Sequence, residues 1–176
     1  KQYYNSIYNI DKPILLLQSH GGAKEQGMMY NWSRDMPDVL IKKIIEKYKK
    51  THTIVHVKRP EQPVYDNVLQ ALDSYRSIAY LISISDKVLV IDSFCHHMAI
   101  AMEKQSVVLW CGTNPDVFGY EEHLNVKSNK HTKSLPKERQ GYKQIELVER
   151  IEDIPYNDLN EIYDFDKICK LLNKLK

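Results

Sequence analysis

Apolar residues occur along this chain in short blocks, separated by segments in which apolar positions recur at helical spacing. Four largely apolar blocks predict buried parallel strands, at Pro13–Gln18, Thr53–Val57, Lys87–Ile91 and Ser106–Trp110. Apolar positions three and four residues apart predict helices at Asp38–Lys50, at Val64–Leu72, at Tyr75–Ile84 and directly after Ser93. Strands that alternate with helices favour right-handed crossovers. We therefore expect an α/β fold, a three-layer, Rossmann-like, doubly wound parallel sheet.

The pattern weakens after Pro115. Leu124–Val126 and Gln144–Val148 are candidates for short strands, and they flank a basic loop at residues 127–143. The tail Asp164–Leu175 has its apolar residues at helical spacing and predicts a C-terminal helix.

Composition limits the domain count and the class of partner. The 176 residues are 43% hydrophobic, so one domain with a single substantial core is expected. We assign residues 1–12 to a linker and residues 13–176 to that domain. Charged residues make up 27% of the chain and the formal net charge is only +2, which argues against a nucleic-acid-binding surface. The basic loop is interpreted as a solvated face rather than a polyanion site.

Cysteine usage and hydropathy bear on the compartment. Three widely spaced cysteines form no paired metal-ligand motif, and this favours a reduced, cytoplasmic location. No apolar run approaches the length of a membrane span, and no secretory signal pattern occurs. The chain begins with Lys instead of Met, which suggests a piece of a longer protein.

The segment Val88–Pro115 is the most informative part of the sequence. A predicted strand ends in Asp92 and Ser93, and a short helix follows. Either side chain could cap that helix by accepting from its unpaired N–H groups. The same geometry suits a phosphate, because a helix N-terminus supplies N–H donors and the positive end of the helix dipole. The two interpretations are compatible.

His96 and His97 occupy consecutive positions of the predicted helix and therefore point in different directions. They cannot chelate one metal ion well, and neither Cys95 nor a nearby carboxylate completes a usual ligand spacing, so no metal is expected. We expect one histidine to donate to an anionic ligand and the other to pack. Cys95 suggests a thiolate nucleophile, but no third group is recognisable, and a buried cysteine is the alternative.

Two loops at predicted strand ends contain glycine. His20, Gly21 and Gly22 follow the first strand but lack the spacing of a dinucleotide fingerprint or a P-loop. Their glycines would still permit close approach of the backbone to a ligand. Thr113 lies in the loop Gly112–Pro115, which is expected at the same edge of the sheet, where a simple turn is the alternative to a site.

Together these segments resemble the C-terminal half of the ADP-heptose:lipopolysaccharide heptosyltransferase family, family 9 glycosyltransferases built from two facing Rossmann-like domains in the GT-B arrangement. Its members typically have a strand that runs into Asp-Ser/Thr-Gly-x-x-His-Leu-Ala-Ala-Ala, then a short strand and Gly-x-Thr-x-Pro. The matching runs here are Asp92–Ala101 and Trp110–Pro115. The resemblance spans roughly Pro13 to Pro115 and is most specific from Asp92 onward.

The resemblance implies roles for individual residues. Asp92, Ser93 and the amides that follow would meet the diphosphate and sugar of the donor, and His97 matches the motif histidine. Arg34 looks like the counterpart of a family lysine at the start of the first helix, and a guanidinium suits a phosphate bidentately. Glu61 is the nearest candidate for a family glutamate that binds the ribose of the nucleotide.

Phe94 departs from the motif, which has glycine at this position. Glycine normally lets the backbone approach the diphosphate, so Phe94 either reshapes the donor pocket or marks a domain that no longer binds a donor. The family's catalytic base and acceptor site would lie in an N-terminal domain that this chain does not contain. We therefore expect no transfer by this chain alone.

The leading hypothesis is the donor-binding half of an inverting, metal-independent glycosyltransferase, with a nucleotide sugar as donor substrate and no cofactor. Helix-end donors and Arg34 would stabilise the departing nucleoside diphosphate. A glycan or a lipid-linked, lipopolysaccharide-type acceptor would bind the other domain, with peripheral membrane association left open and nucleic acid not expected. The alternative, which Phe94 favours, is a degenerate Rossmann-like binding or scaffold module without transferase activity.

Overall fold

The computed structural model describes residues 10–21, 34–71, 74–130 and 156–175. These residues form a six-stranded sheet in which every neighbouring pair of strands is parallel. The strands are β1 Ile14–Leu17, β2 Thr53–Val57, β3 Leu69–Ala71, β4 Lys87–Ile91, β5 Val107–Trp110 and β6 Leu124–Lys127. Their order in space is β3-β2-β1-β4-β5-β6. The chain thus winds outward from β1 in one direction and then starts again on its other side with β4.

Helices cover both faces of this sheet. The α-helices within the described residues are α1 Asp38–Tyr48, α2 Tyr75–Ile84, α3 Phe94–Ala101, α4 Pro115–Phe118 and α5 Phe165–Leu172. The apolar sides of α1 and α5 pack on one face, and those of α2 and α3 pack on the other. The predicted doubly wound α/β fold is therefore confirmed.

The continuous apolar character of the strands follows from burial on both faces. In β1, Leu15 and Leu17 point into the core beneath α1 and α5, whereas Ile14 and Leu16 point into the core beneath α2 and α3. All four side chains are at most 1% exposed. Because successive strand residues point to opposite faces, a strand covered on both sides has no solvent-facing position for a polar residue.

The helix predicted at Val64–Leu72 is wrong. Leu69–Ala71 instead form β3, a short edge strand paired with β2. Asn67 adopts a φ of 60°, in the left-handed region that the interior of a right-handed helix does not contain. A short apolar run fits both periodicities, and here pairing with β2 decided the outcome.

Other boundaries differ less. β6 confirms the strand predicted at Leu124–Val126, and α5 confirms the C-terminal helix, although it ends at Leu172. The run Gln144–Val148 lies outside the described residues, as does most of the basic loop. Ile10 was assigned to the linker, yet it is 8% exposed and packs in the core beneath α2 and α3, so it belongs to the domain.

The strand order determines where a ligand could enter. Within the sheet, β2 and β3 lie next to one edge of β1, whereas β4 lies next to its other edge. The loops that follow β1 and β4 therefore separate and leave a crevice at their carboxyl ends, which is the usual ligand site of open α/β sheets. Gln18–Gly21 follow β1 at this crevice, and Asp92 and Ser93 follow β4.

Candidate functional site

Ser93 ties the ends of β1 and β4 together. Its Oγ donates to Oε1 of Gln18 at 2.5 Å and accepts from the backbone N–H of Cys95 at 3.2 Å. Gln18 in turn donates from Nε2 to the carbonyl oxygen of His20 at 2.5 Å. Ser93 is 7% exposed, and through these bonds its hydroxyl caps α3 and links the two loops of the crevice. The capping interpretation of the sequence is the one that the structure displays.

Arg34 reaches the crevice from the segment before α1. Its Nη2 donates to the carbonyl oxygen of Asp92 at 2.7 Å, and its Nε lies 4.0 Å from Oδ2 of the same residue. The Arg34 side chain remains 39% exposed, and its buried Nε has no hydrogen-bond partner among the described residues. Asp92, 14% exposed, thus holds the guanidinium beside the first turn of α3. Asp92 acts here as a positioning residue for Arg34.

Gly21 lies directly against this arginine. Its N–H donates to Oδ1 of Asp35 at 2.8 Å, and the N–H of Met36 donates to the carbonyl oxygen of Ser19 at 2.8 Å. These two bonds fasten the approach to α1 onto the end of β1. A Cβ at Gly21 would lie 3.7 Å from Cζ of Arg34, an ordinary contact distance. Glycine at this position therefore leaves room next to the guanidinium without being required by the backbone.

A cavity of about 230 Å³ opens on the β2 side of the crevice. Its lining comes from the ends of β1 and β2 and from the first turns of α2 and α3: Gln18, His20, Gly21, Val57, Lys58, Arg59, Pro60, Gln62, Tyr75, Ile78 and Phe94. Three residues proposed from the sequence meet here, namely His20, Gly21 and Phe94. Arg34 is not part of this lining, but Gly21 lines the cavity and its Cβ position would lie 3.7 Å from Cζ of Arg34, so the cavity and the guanidinium adjoin at Gly21.

Lys58, Arg59, Gln62 and Tyr75 were not singled out by the sequence. Lys58 and Arg59 follow β2 directly, so the rule that ligands bind beyond the carboxyl ends of parallel strands could have identified them. Gln62 donates from Nε2 to the carbonyl oxygen of Gly21 at 3.2 Å and so joins the β1 and β2 loops. Such a bond between two loops becomes visible only when the strand order is known.

A buried polar chain lies behind the cavity. Oγ of Ser19 is hydrogen-bonded to Nδ1 of His20 and to Nε2 of His56, each at 2.7 Å. His56 is 1% exposed. Burial, together with the neighbouring His20 and Lys58, lowers the pKa of His56 to about 3. The His56 ring is therefore neutral at physiological pH, and it braces His20 through Ser19.

His96 has a packing role. Its ring is 0% exposed; the N–H of Ser93 donates to Nδ1 at 3.1 Å, and Nε2 donates to the carbonyl oxygen of Phe118 at 3.1 Å. Burial is the main cause that lowers the pKa of His96. His123 is held similarly, with Nε2 donating to the carbonyl oxygen of His96 at 3.0 Å. His96 was one of two candidate ligand residues, with the ligand-facing and packing roles left open between it and His97; its ring packs and completes a capping box at the start of α3.

The remaining predicted residues lie elsewhere. His97 is exposed, and its Nδ1 is hydrogen-bonded to the hydroxyl of Tyr120 at 2.9 Å. Glu61 is exposed, and Thr113 lies in the loop after β5; neither they nor His97 line the cavity. Gly22 lies outside the described residues. The structure therefore gathers the β1 loop, Arg34 and the Asp92–Phe94 turn, and leaves these other positions apart from the cavity.

The described residues form neither a cluster of metal ligands nor a helix that could span a membrane. In the described ranges, no group of three or more His, Cys, Asp or Glu side chains could hold a metal ion. The sequence contains one Asp-x-Asp triplet, Asp164–Asp166, and Oδ1 of Asp164 accepts from the N–H of Lys167 at 3.0 Å as the N-cap of α5. None of the helices described is long and apolar enough to cross a bilayer.

Three solved structures are similar to this chain in fold. The glycosyl transferase family 9 protein from Veillonella parvula DSM 2008 has a TM-score of 0.66 at 13% identity, over 99% of this chain and 49% of that one. E. coli heptosyltransferase WaaC with ADP has a TM-score of 0.53 at 12% identity, over 69% of this chain and 39% of that one. E. coli ADP-heptose lps heptosyltransferase II has a TM-score of 0.53 at 14% identity, over 72% and 41%.

No family model and no curated protein matches the sequence. The chain spans less than half the length of each of the three solved structures. At identities of 12%, 13% and 14% the similarity establishes the fold. The resemblance inferred from the Asp92–Pro115 motif agrees with it, because two of the three proteins are heptosyltransferases and the third belongs to family 9. The chain has the doubly wound α/β fold of these glycosyltransferases.

Proposed function

We propose that this chain is the donor-binding part of an inverting, metal-independent glycosyltransferase and holds the diphosphate of a nucleotide sugar in the crevice between β1 and β4. The observation that carries the proposal is the guanidinium of Arg34, held on the Asp92 carbonyl beside the start of α3 at 2.7 Å. Its side chain stays 39% exposed at the edge where open α/β sheets bind ligands. The solved structure of WaaC, which is similar in fold, contains ADP.

The chemistry asked of this part is stabilisation of a leaving group. In an inverting transfer, a base outside this chain removes the proton of an acceptor hydroxyl, and the hydroxyl oxygen attacks the anomeric carbon. The bond from that carbon to the diphosphate oxygen breaks, and negative charge grows on the departing nucleoside diphosphate. Arg34 and the N-terminal end of α3 would stabilise that charge through charge-assisted hydrogen bonds and the helix dipole.

A second candidate function rests on Phe94. This side chain stands where the heptosyltransferase motif has glycine, and it is 40% exposed at the mouth of the cavity. Its ring contacts that of Tyr75 edge-to-face, with 5.3 Å between centroids. A pocket narrowed in this way suits a binding or scaffold module that no longer accepts a donor.

Calorimetric titration of the chain with ADP, UDP and GDP separates the two functions. Donor binding predicts that at least one of them binds, and that Arg34→Gln weakens it about tenfold or more, since a charge-assisted bidentate contact is lost. Arg34→Lys should recover part of the affinity, whereas Lys170→Gln, which removes an exposed charge on α5, should not change it. Absence of binding by all three at millimolar concentration would favour the scaffold module. Binding with unchanged affinity in Arg34→Gln would refute the assignment of the diphosphate to Arg34.

A further inference from the structure

Lys58 is a charged residue at a largely buried position. It is 7% exposed and lines the cavity on the β2 side of the crevice. Its Nζ makes a single hydrogen bond within the described part of the chain, to the carbonyl oxygen of Pro60 at 3.4 Å. An ammonium group carries three N–H donors, so Nζ retains donors for an oxygen anion that enters the cavity. The geometry therefore leaves a place for an anion next to Nζ.

The charges around Lys58 also favour an anion in this cavity. Arg59 also lines the cavity, and none of the lining residues is an aspartate or a glutamate. Glu61, the carboxylate closest in sequence, is exposed and is not part of the lining. Lys58 is among the causes that lower the pKa of the buried His56, after burial and His20. The described lining of the cavity thus carries positive charge without a counter-charge.

Two aromatic rings form the mouth of the same cavity. Tyr75, at the start of α2, is 69% exposed, and Phe94, at the start of α3, is 40% exposed. Their planes meet at 81°. Large apolar rings left exposed at a cavity mouth offer a stacking surface for the face of a sugar or a base. The lining of the cavity therefore combines two aromatic rings with the cationic side chains of Lys58 and Arg59.

We propose that this cavity is an anion subsite, in which Lys58 and Arg59 bind a second acidic group of the donor, a carboxylate or a phosphate, beside the diphosphate held at Arg34. The proposal rests on the proposed donor-binding function and specifies its substrate class. The group could belong to the transferred sugar, as in a uronic acid, or to the ribose, as an added phosphate. Both offer oxygen anions to an ammonium and a guanidinium.

Two matched pairs of nucleotides test the subsite and its source by calorimetry on the 176-residue chain. UDP-glucuronate is compared with UDP-glucose, and ADP carrying a 2′-phosphate is compared with ADP. In one pair, the extra acidic group is expected to tighten binding about tenfold or more. Lys58→Met should abolish this gain, Lys58→Arg should retain most of it, and Lys170→Met should leave it unchanged. The responding pair identifies whether sugar or ribose carries the group.

The proposal is overturned if neither pair shows a gain, or if Lys58→Met weakens both members of a pair by the same factor. Thermal unfolding of each variant verifies that the fold is retained. If no nucleotide binds to the wild-type chain, the donor-binding function fails, and inorganic phosphate then serves as the probe in amide NMR spectra. Shifts at Lys58, Arg59 and Phe94 that disappear in Lys58→Met would sustain the anion subsite by itself. Their absence would refute the subsite as well.

Discussion

Acidification is expected to destabilise the fold through His56, and replacing this residue should reveal by how much. Burial, aided by His20 and Lys58, lowers the pKa of His56 from its ordinary value of 6.5 to about 3. The folded chain therefore holds the ring neutral, whereas the unfolded chain binds a proton as the pH falls below that ordinary value. The stability contributed by the neutral ring is complete above the unfolded pKa. It is lost progressively as the pH falls toward the folded pKa.

The magnitude follows from the gap between the two values. Each pH unit below the unfolded pKa costs about 1.4 kcal/mol as long as the folded ring stays neutral. At pH 5 the folded ring is still neutral, and this pH lies about 1.5 units below the unfolded pKa, so the loss between pH 7 and pH 5 is about 2 kcal/mol. This is a large fraction of the total stability of an ordinary domain, roughly 5–15 kcal/mol.

Urea unfolding followed by circular dichroism at the two pH values measures this loss. His56→Gln keeps a polar atom within reach of the Ser19 hydroxyl but removes the titration, so its acid-induced loss should be smaller than that of the wild type by about 2 kcal/mol. His52→Gln is the matched control: the pKa of His52 is lowered by burial as well, but the ring is only partly buried, and a smaller difference is expected. Equal losses in the wild type and His56→Gln would refute the assigned protonation of this ring.

Three further predictions concern the core, the helix cap and the thiols. Leu16→Ala removes a fully buried side chain from the central strand and should lower the free energy of unfolding in urea by about 3 kcal/mol or more. Val117→Ala, at a 63% exposed position, should lower it by less than about 0.5 kcal/mol. Equal effects of the two substitutions would contradict the core assignment. Ser93→Ala removes the cap of α3 and should lower the free energy of unfolding by about 1–2 kcal/mol, a result that an unchanged midpoint would exclude. Burial raises the pKa of the Cys111 thiol to about 12 and also raises that of Cys95. A disulfide reagent should therefore modify both thiols slowly in the native chain and rapidly in urea. Fast labelling of the native chain would contradict their burial.

Much of the fold could be predicted from local pattern. The strands at Lys87–Ile91 and Thr53–Val57 occur at the predicted residues, because burial on both faces imposes apolar side chains at successive positions. The helix at Asp38 begins where predicted, with its apolar residues facing the sheet. The helix predicted at Val64–Leu72 was wrong because local pattern is ambiguous there. Its spacing fits both a helix and a strand, and the choice depends on β2 lying alongside.

The candidate site divides in the same way. The turn Asp92–Phe94 and the β1 loop were located from sequence, because polar and glycine residues directly after a buried strand mark the carboxyl edge of a sheet. A cap at Asp92 or Ser93 was expected for the same local reason, and the structure assigns it to Ser93. The sequence left open which of His96 and His97 packs, since a helical position does not tell whether a ring faces a ligand or a neighbouring loop. That depends on the Phe118 carbonyl, which is 22 residues away.

The sequence by itself determined the alternation of strands and helices and the polar turn after β4, because each depends on residues adjacent in the chain. Only the tertiary structure decided that Lys58 shares a cavity with Phe94 and that Arg34 lies on Asp92. These residues belong to different loops, and the order β3-β2-β1-β4 brings those loops to one edge. The physical reason is that strand order follows from packing helices on both faces of the sheet, a property of the whole core that no local pattern encodes.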